Sequence, residues 1–218
     1  MTLRLARLVR AFALSCLLAA AITGEASAAR CQTTSDCLGA IQEAHRDLST
    51  LTATLVQTKH LSLLDEPLIS TGRLAFKHPD HLLLQMESPR PLRIVMNGSR
   101  LVIPELGPEA NAALEGAPPA LLSRLHAIFA GDISVLEESF EIRASEDDTG
   151  ITVELKPRDP QMFNTVQAMQ LRFERPTLLL HTIRVTNALG DALEIVLSDI
   201  RRNPALPDLT FAVGDSRP

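Results

Sequence analysis

The chain of 218 residues contains no tryptophan and no tyrosine, and aromatic residues make up only 3% of it. The rings that usually stack on sugars, nucleobases and aromatic ligands are therefore scarce. Aliphatic contact is left as the main means of holding a ligand. No basic stripe is present and the net charge is −5, which argues against nucleic acid as a partner. After Ile22 no apolar run is long enough to span a bilayer. Catalytic signatures are missing as well: there is no G-x-S-x-G elbow, no P-loop and no H-E-x-x-H. His78 and His81 form H-x-x-H, but "KHPDH" reads as a polar turn between strands with no third ligand indicated. Glu137-Glu138 and Asp147-Asp148 fall at element edges, where solvated charge is the default, and His60, His126 and His181 stand alone. The expectation is a protein that is not an enzyme and needs no cofactor or metal.

Cysteine is also sparse, with three in the chain. Cys16 lies inside an N-terminal pattern of Arg4, Arg7 and Arg10, an apolar run from Ala11 to Ile22, and small residues at Ala26 and Ala28. A positive start, a short apolar core and an A-x-A site describe a secretory signal peptide, with cleavage predicted after Ala28. Residues 29–218 then form one exported domain. It is more acidic than the whole, because the leader carries three arginines against Glu25 alone. Cys31 and Cys37, in "CQTTSDC", fit neither a C-x-x-C redox pair nor a zinc site. An oxidising compartment favours a disulfide between them that ties down the new N-terminus.

What the chain has in quantity is alternation. In "LAFKHPDHLLLQMESPRPLRIVMNG", residues 74–98, Leu74 and Phe76 share a parity. So do Leu82, Leu84 and Met86, and again Leu92, Ile94 and Met96. Period-2 patterning in three successive segments marks strands with one apolar face. The proline-bearing breaks and Asn97-Gly98 mark the turns between them. A packed core and a cavity for an aliphatic ligand both fit such a face, and Leu and Met make a plastic lining for the latter.

Around this stretch, Ser35-Asp36 opens a helix with Leu38, Ile41, His45 and Leu48 at helical spacing. Residues 50–60 turn strand-like through Thr52, Thr54, Val56 and Thr58. Pro118-Pro119 starts a second helix whose Leu121, Leu122, Leu125, Ile128 and Phe129 form one stripe before Gly131 ends it. Strand patterning resumes from Phe140 to Leu197, and Leu209 to Val213 is predicted as a last short strand. Ten or eleven strands with hairpin connections and two helices predict a mainly β protein built on one large curved antiparallel sheet.

"GRLAFKHPDHLLLQMESPRPLRIVMNGSRLVIPE" resembles the first half of the periplasmic lipoprotein carriers of the LolA family. "VELKPRD" is similar to a later strand-plus-proline segment of that family, and "NALGDALEIVLSDIRRNPALPDLTFAV" to its closing hairpin and end. The likeness covers most of residues 35–213 in order. It implies an unclosed β-barrel with a helical lid over an apolar cavity, and a monomer that shuttles acylated cargo across the periplasm. The implied partners are acyl chains of lipoproteins or lipids, an inner-membrane exporter and an outer-membrane acceptor. Leu74, Phe76, Leu82, Leu84, Met86, Ile94 and Met96 would line the cavity, with Leu82 matching a family aromatic. Leu121, Leu125, Ile128 and Phe129 would form the inner face of the lid. In the family an Arg-Pro turn holds the lid through hydrogen bonds; here His78 occupies the Arg position, and its imidazole can donate one such bond. Two other roles compete: a non-transporting lipid-sensing module of the same fold, and a periplasmic esterase.

Overall fold

A computed structural model describes residues 30–98, 100–107, 109, 111 and 119–212, with the side chains of 119–123, 163 and 164 excepted. The expected signal peptide lies outside the described residues. From Cys31 onward the described chain is one compact unit. It contains ten strands in a single antiparallel sheet, ordered β5-β4-β3-β2-β1-β10-β9-β8-β7-β6. The strands are β1 (Thr50–His60), β2 (Leu68–Lys77), β3 (His81–Ser88), β4 (Leu92–Asn97) and β5 (Arg100–Val102). They continue as β6 (Phe140–Asp147), β7 (Gly150–Pro157), β8 (Ala168–Glu174), β9 (Leu179–Thr186) and β10 (Ala192–Arg202). No pairing joins β5 to β6, so the sheet curves without closing. The predicted architecture is the one observed.

Two α-helices are described from end to end, α1 (Thr34–His45) and α2 (Pro119–Ala130). Helix α1 begins one residue earlier than its sequence cue. Thr33 is the N-cap, and it forms a capping box with Asp36 in which each side chain accepts the other residue's backbone N–H. Cys37, Leu38, Ile41 and His45 turn inward from it. The sheet's edge at β6 is covered by the segment that leads into this helix. Ala144 N–H donates to Thr34 Oγ1 at 3.2 Å, and Cys31 N–H donates to Glu146 Oε2 at 2.6 Å. Arg175 pairs with the buried Glu146 carboxylate and offsets its desolvation. Cys31 and Cys37 are bonded, as expected, with Cα atoms 5.0 Å apart.

Helix α2 stops where Gly131 takes φ +74°, a left-handed conformation suited to glycine. The same glycine lets the two helices meet, since a Cβ there would stand 2.5 Å from the His45 ring. The core lies on the concave side, where Ile151, Val153, Leu155, Leu171, Phe173 and Leu197 are wholly excluded from water. A smaller cluster of Ala75, Leu83, Val95 and Phe211 sits on the convex side.

The expected strand from Leu209 to Val213 is not formed. Asp208–Phe211 is a 3-10 turn instead, and residue 213 lies outside the described residues. Asn203 at φ +54° turns the chain off the end of β10, and Pro204 and Pro207 lack the N–H a ladder requires. The segment crosses the convex face, where Phe211 is buried and Lys77 Nζ pairs with Asp208 Oδ1 at 2.5 Å.

Candidate functional site

Register places the alternating residues in rows across the concave face. The first row runs Leu51, Phe76, Leu82 and Met96 across β1 to β4, and each is at most 2% exposed. Phe129 of α2 lies over it, its ring stacked on Phe76 at 6.2 Å between centroids and 29° between planes. The second row is Ala53, Leu74, Leu84 and Ile94; the first two are buried and the last two half-buried. The third is Leu55, Gly72, Met86 and Leu92, again closed on the β1–β2 side and open on the β3–β4 side. Gly72 is required where strands approach closely at a bulge, because a Cβ there would meet Gln85 O at 2.3 Å.

The face is thus packed under α2 and open at its far end. That open end is a cavity of about 590 Å³ lined by Leu55, Leu84, Met86, Leu92, Ile94 and Ile195. Its rim carries Gln57, Lys59, Ser70, Glu105 and the Pro89-Arg90-Pro91 turn. A volume of this size is typical of small-ligand sites, as is an apolar wall with a few polar groups at the mouth.

All seven residues expected to line a cavity share the concave face, but they divide. Leu84, Met86 and Ile94 border the open volume, whereas Leu74, Phe76, Leu82 and Met96 belong to the packed part. Of the lid residues, Ile128 and Phe129 are buried against that packed part and Leu125 is half-buried beside it. The Leu121 side chain lies outside the described residues. Of the apolar residues that line the open volume, sequence reasoning did not place Leu55, Leu92 and Ile195 in the site. The alternation Leu51, Ala53, Leu55 was the available cue on β1, and the threonines of opposite parity outweighed it.

His78 is exposed and borders a crevice of about 490 Å³ between α1, α2 and the β2–β3 turn. Its backbone N–H donates to Ser49 O at 2.8 Å, while among the described side chains of α2 Arg124 donates to Ser139 Oγ. His45 and His126 border the same crevice, both more than nine-tenths buried. His45 Nδ1 lies 2.8 Å from Ile41 O, and the Nε2 atoms of both rings have no hydrogen-bond partner among the described residues. Burial pushes both imidazoles below their ordinary pKa. Asp80 opposes that shift at His126 and His81 adds to it; at His45 the Ile41 carbonyl opposes it and Arg202 adds to it.

The model of the family described as outer membrane lipoprotein carrier protein LolA matches residues 46–213. The chain belongs to the LolA family. It is 24% identical over 148 residues to an outer-membrane lipoprotein carrier protein of Pseudomonas putida strain W619, a match covering 65% of this LolA-family chain and 65% of that one. Among solved structures, it superposes on a chain of the Pseudomonas aeruginosa MucA/MucB complex with TM-score 0.51 and 19% identity, over 83% of this chain and 61% of that one. It also matches the LolA superfamily protein NE2245 of Nitrosomonas europaea with TM-score 0.41 and 11% identity, over 84% of this chain and 98% of that one. The chain spans less than two thirds of the length of the Pseudomonas putida and MucA/MucB relatives.

Proposed function

We propose that this LolA-family chain is a periplasmic, non-enzymatic carrier that takes the acyl chains of a lipoprotein or lipid into its concave face and moves them from the inner towards the outer membrane. The observation that carries the reading is the half-filled face. One sheet surface is dry core beneath α2 and becomes an open apolar cavity without a change of strand. Each methylene moved from water into such a cavity is worth about 0.8 kcal/mol. A chain of about a dozen carbons therefore has on the order of ten kcal/mol at stake, enough to keep it from dispersing in water. The 590 Å³ cavity accepts part of such a chain as it stands. Displacing Phe129 from Phe76 would add the first row of the face to it.

The test is native mass spectrometry of protein taken from its own compartment, paired with displacement of a fluorescent fatty acid from the purified protein by acyl chains of graded length. A bound acylated species and chain-length-dependent displacement are expected. Protein that is mass-clean and indifferent to acyl chains would sink the proposal.

A second reading is favoured by the likeness to a chain of the MucA/MucB complex: the same cavity would serve a module that senses lipid and regulates a bound protein. Transfer of a labelled acyl cargo between two vesicle populations separates the readings, because a sensor binds without accelerating transfer.

A further inference from the structure

The β1–β2 hairpin overhangs the cavity mouth. The pairs Gln57–Ser70, Thr58–Ile69 and Lys59–Leu68 lie beyond Thr71–Ser88, the last pair between β2 and β3. At about 3.4 Å per residue, that is an overhang of about 10 Å before the hairpin's own loop begins. Leu63 in that loop is 94% exposed, and Leu189 in the neighbouring β9–β10 turn is 74% exposed. Leu64 and Leu68 are about half exposed beside them.

These leucines are not on loose chain ends. Ser62 N–H donates to Asp191 Oδ1 at 2.7 Å, which ties the two turns together. Asn187 Oδ1 in turn accepts the N–H groups of Leu189 and Asp191 at 3.0 and 2.9 Å. Single exposed leucines are ordinary on a protein surface. Several displayed together on two fastened turns, at the mouth of an apolar cavity, form a patch of the kind that meets a partner.

The charges beside the patch say what the partner is. Lys59 and Arg90 stand on the cavity rim, exposed, and no ion pair is made by either among the described residues. Asp65 and Glu66 follow the leucines in the loop, and Glu105 is the acid of the rim. Apolar tips surrounded by both signs of charge match the headgroup layer of a zwitterionic phospholipid bilayer. The leucines reach the acyl boundary, the cations meet phosphates and the carboxylates meet ammonium groups.

We infer that this end of the molecule docks directly on a phospholipid bilayer, so that an acyl chain passes between membrane and cavity without crossing water. The inference rests on the carrier reading above, but its test is separable. Because the protein has no tryptophan, Leu63→Trp gives it a single indole reporter. On mixing with phosphatidylcholine–phosphatidylethanolamine vesicles, the indole emission should shift to the blue and be quenched by brominated acyl chains. The same reporter at Leu209→Trp, on the convex side and 82% exposed, should not respond. Adding Leu64→Asp and Leu189→Asp to Leu63→Trp should weaken vesicle binding by at least about tenfold. If the Leu63→Trp emission ignores vesicles while the protein still takes up a fatty acid in solution, docking is overturned, the patch belongs to a protein partner, and the carrier reading stands. Vesicle binding without acyl uptake would retain the docking surface and overturn the carrier reading.

Discussion

Leu82 and Ile94 share a face, a parity and an adjacent strand, yet they stand in different surroundings. Leu82 is 1% exposed beneath α2, and Ile94 borders the open cavity. A carboxylate at Leu82 has no route to water, so Leu82→Glu should cost several kcal/mol or prevent folding. Ile94→Glu can turn its charge into the cavity, so it should fold with a near-native denaturation midpoint while losing fatty-acid binding. Denaturant titration and probe displacement on the two variants check both halves of this expectation; equal destabilisation would mean that the cavity is closed. Two other residues set a pH dependence. His45 and His126 are bases whose folded pKa lies below the unfolded value of 6.5. The unfolded chain therefore binds protons first as pH falls. Their neutral, buried state should be fully supported above about pH 6.5, and stability should decline as pH drops below it. Urea midpoints at pH 7.5 and 5.5 should differ in that direction, and His45→Gln with His126→Gln should narrow the difference. Period-2 patterning made the shared face legible from sequence. It could not tell Leu82 from Ile94, because depth depends on which other element covers each end of the strand.

At the scale of elements, the helices and hairpins announced themselves through spacing, capping residues and prolines. The end of the chain did not, because alternation in Leu209 and Phe211 is shared by a strand and by a turn that buries one ring on the convex face. Helix α1 is held at its start by the Cys31–Cys37 bond and by the hydrogen bonds of Cys31 and Thr34 to β6. Opening that short loop should cost about 2 kcal/mol on the chain-entropy account. Hydrogen exchange after reduction, or in Cys31→Ser/Cys37→Ser, should quicken in α1 well before it quickens in β7 or β8. Helix α2 has a different status. Its main backbone approach is to the 3-10 turn Ile133–Leu136 that follows it, while α1 packs on β6, β9 and that turn. Amide exchange across residues 119–130 should therefore change when a fatty acid is added, with the sheet unaffected. Strong and identical protection in both states would make α2 a fixed part of the core.

For the whole molecule, the order of strands in space departs from their order in the chain at one place. Strands β1 to β5 and β6 to β9 each form an uninterrupted run of neighbours, and β10 lies between the runs, paired with β1 on one side and β9 on the other. The last of the described strands in chain order is thus the one that unites the sheet. A chain threaded N-terminus first through a translocation pore would bring out β1 long before its partner, leaving a threonine-rich edge open for most of the passage. Completion of the fold would wait for residues 192–202, and contacts of such long sequence separation form slowly. Removing residues 192–218 should leave two unjoined half-sheets with no protease-resistant core, whereas removing 213–218 should leave resistance intact. Limited proteolysis distinguishes the two. For the exported carrier proposed above, the middle position of β10 would make export and folding sequential events, with an interval in which the edge of β1 stands unpaired.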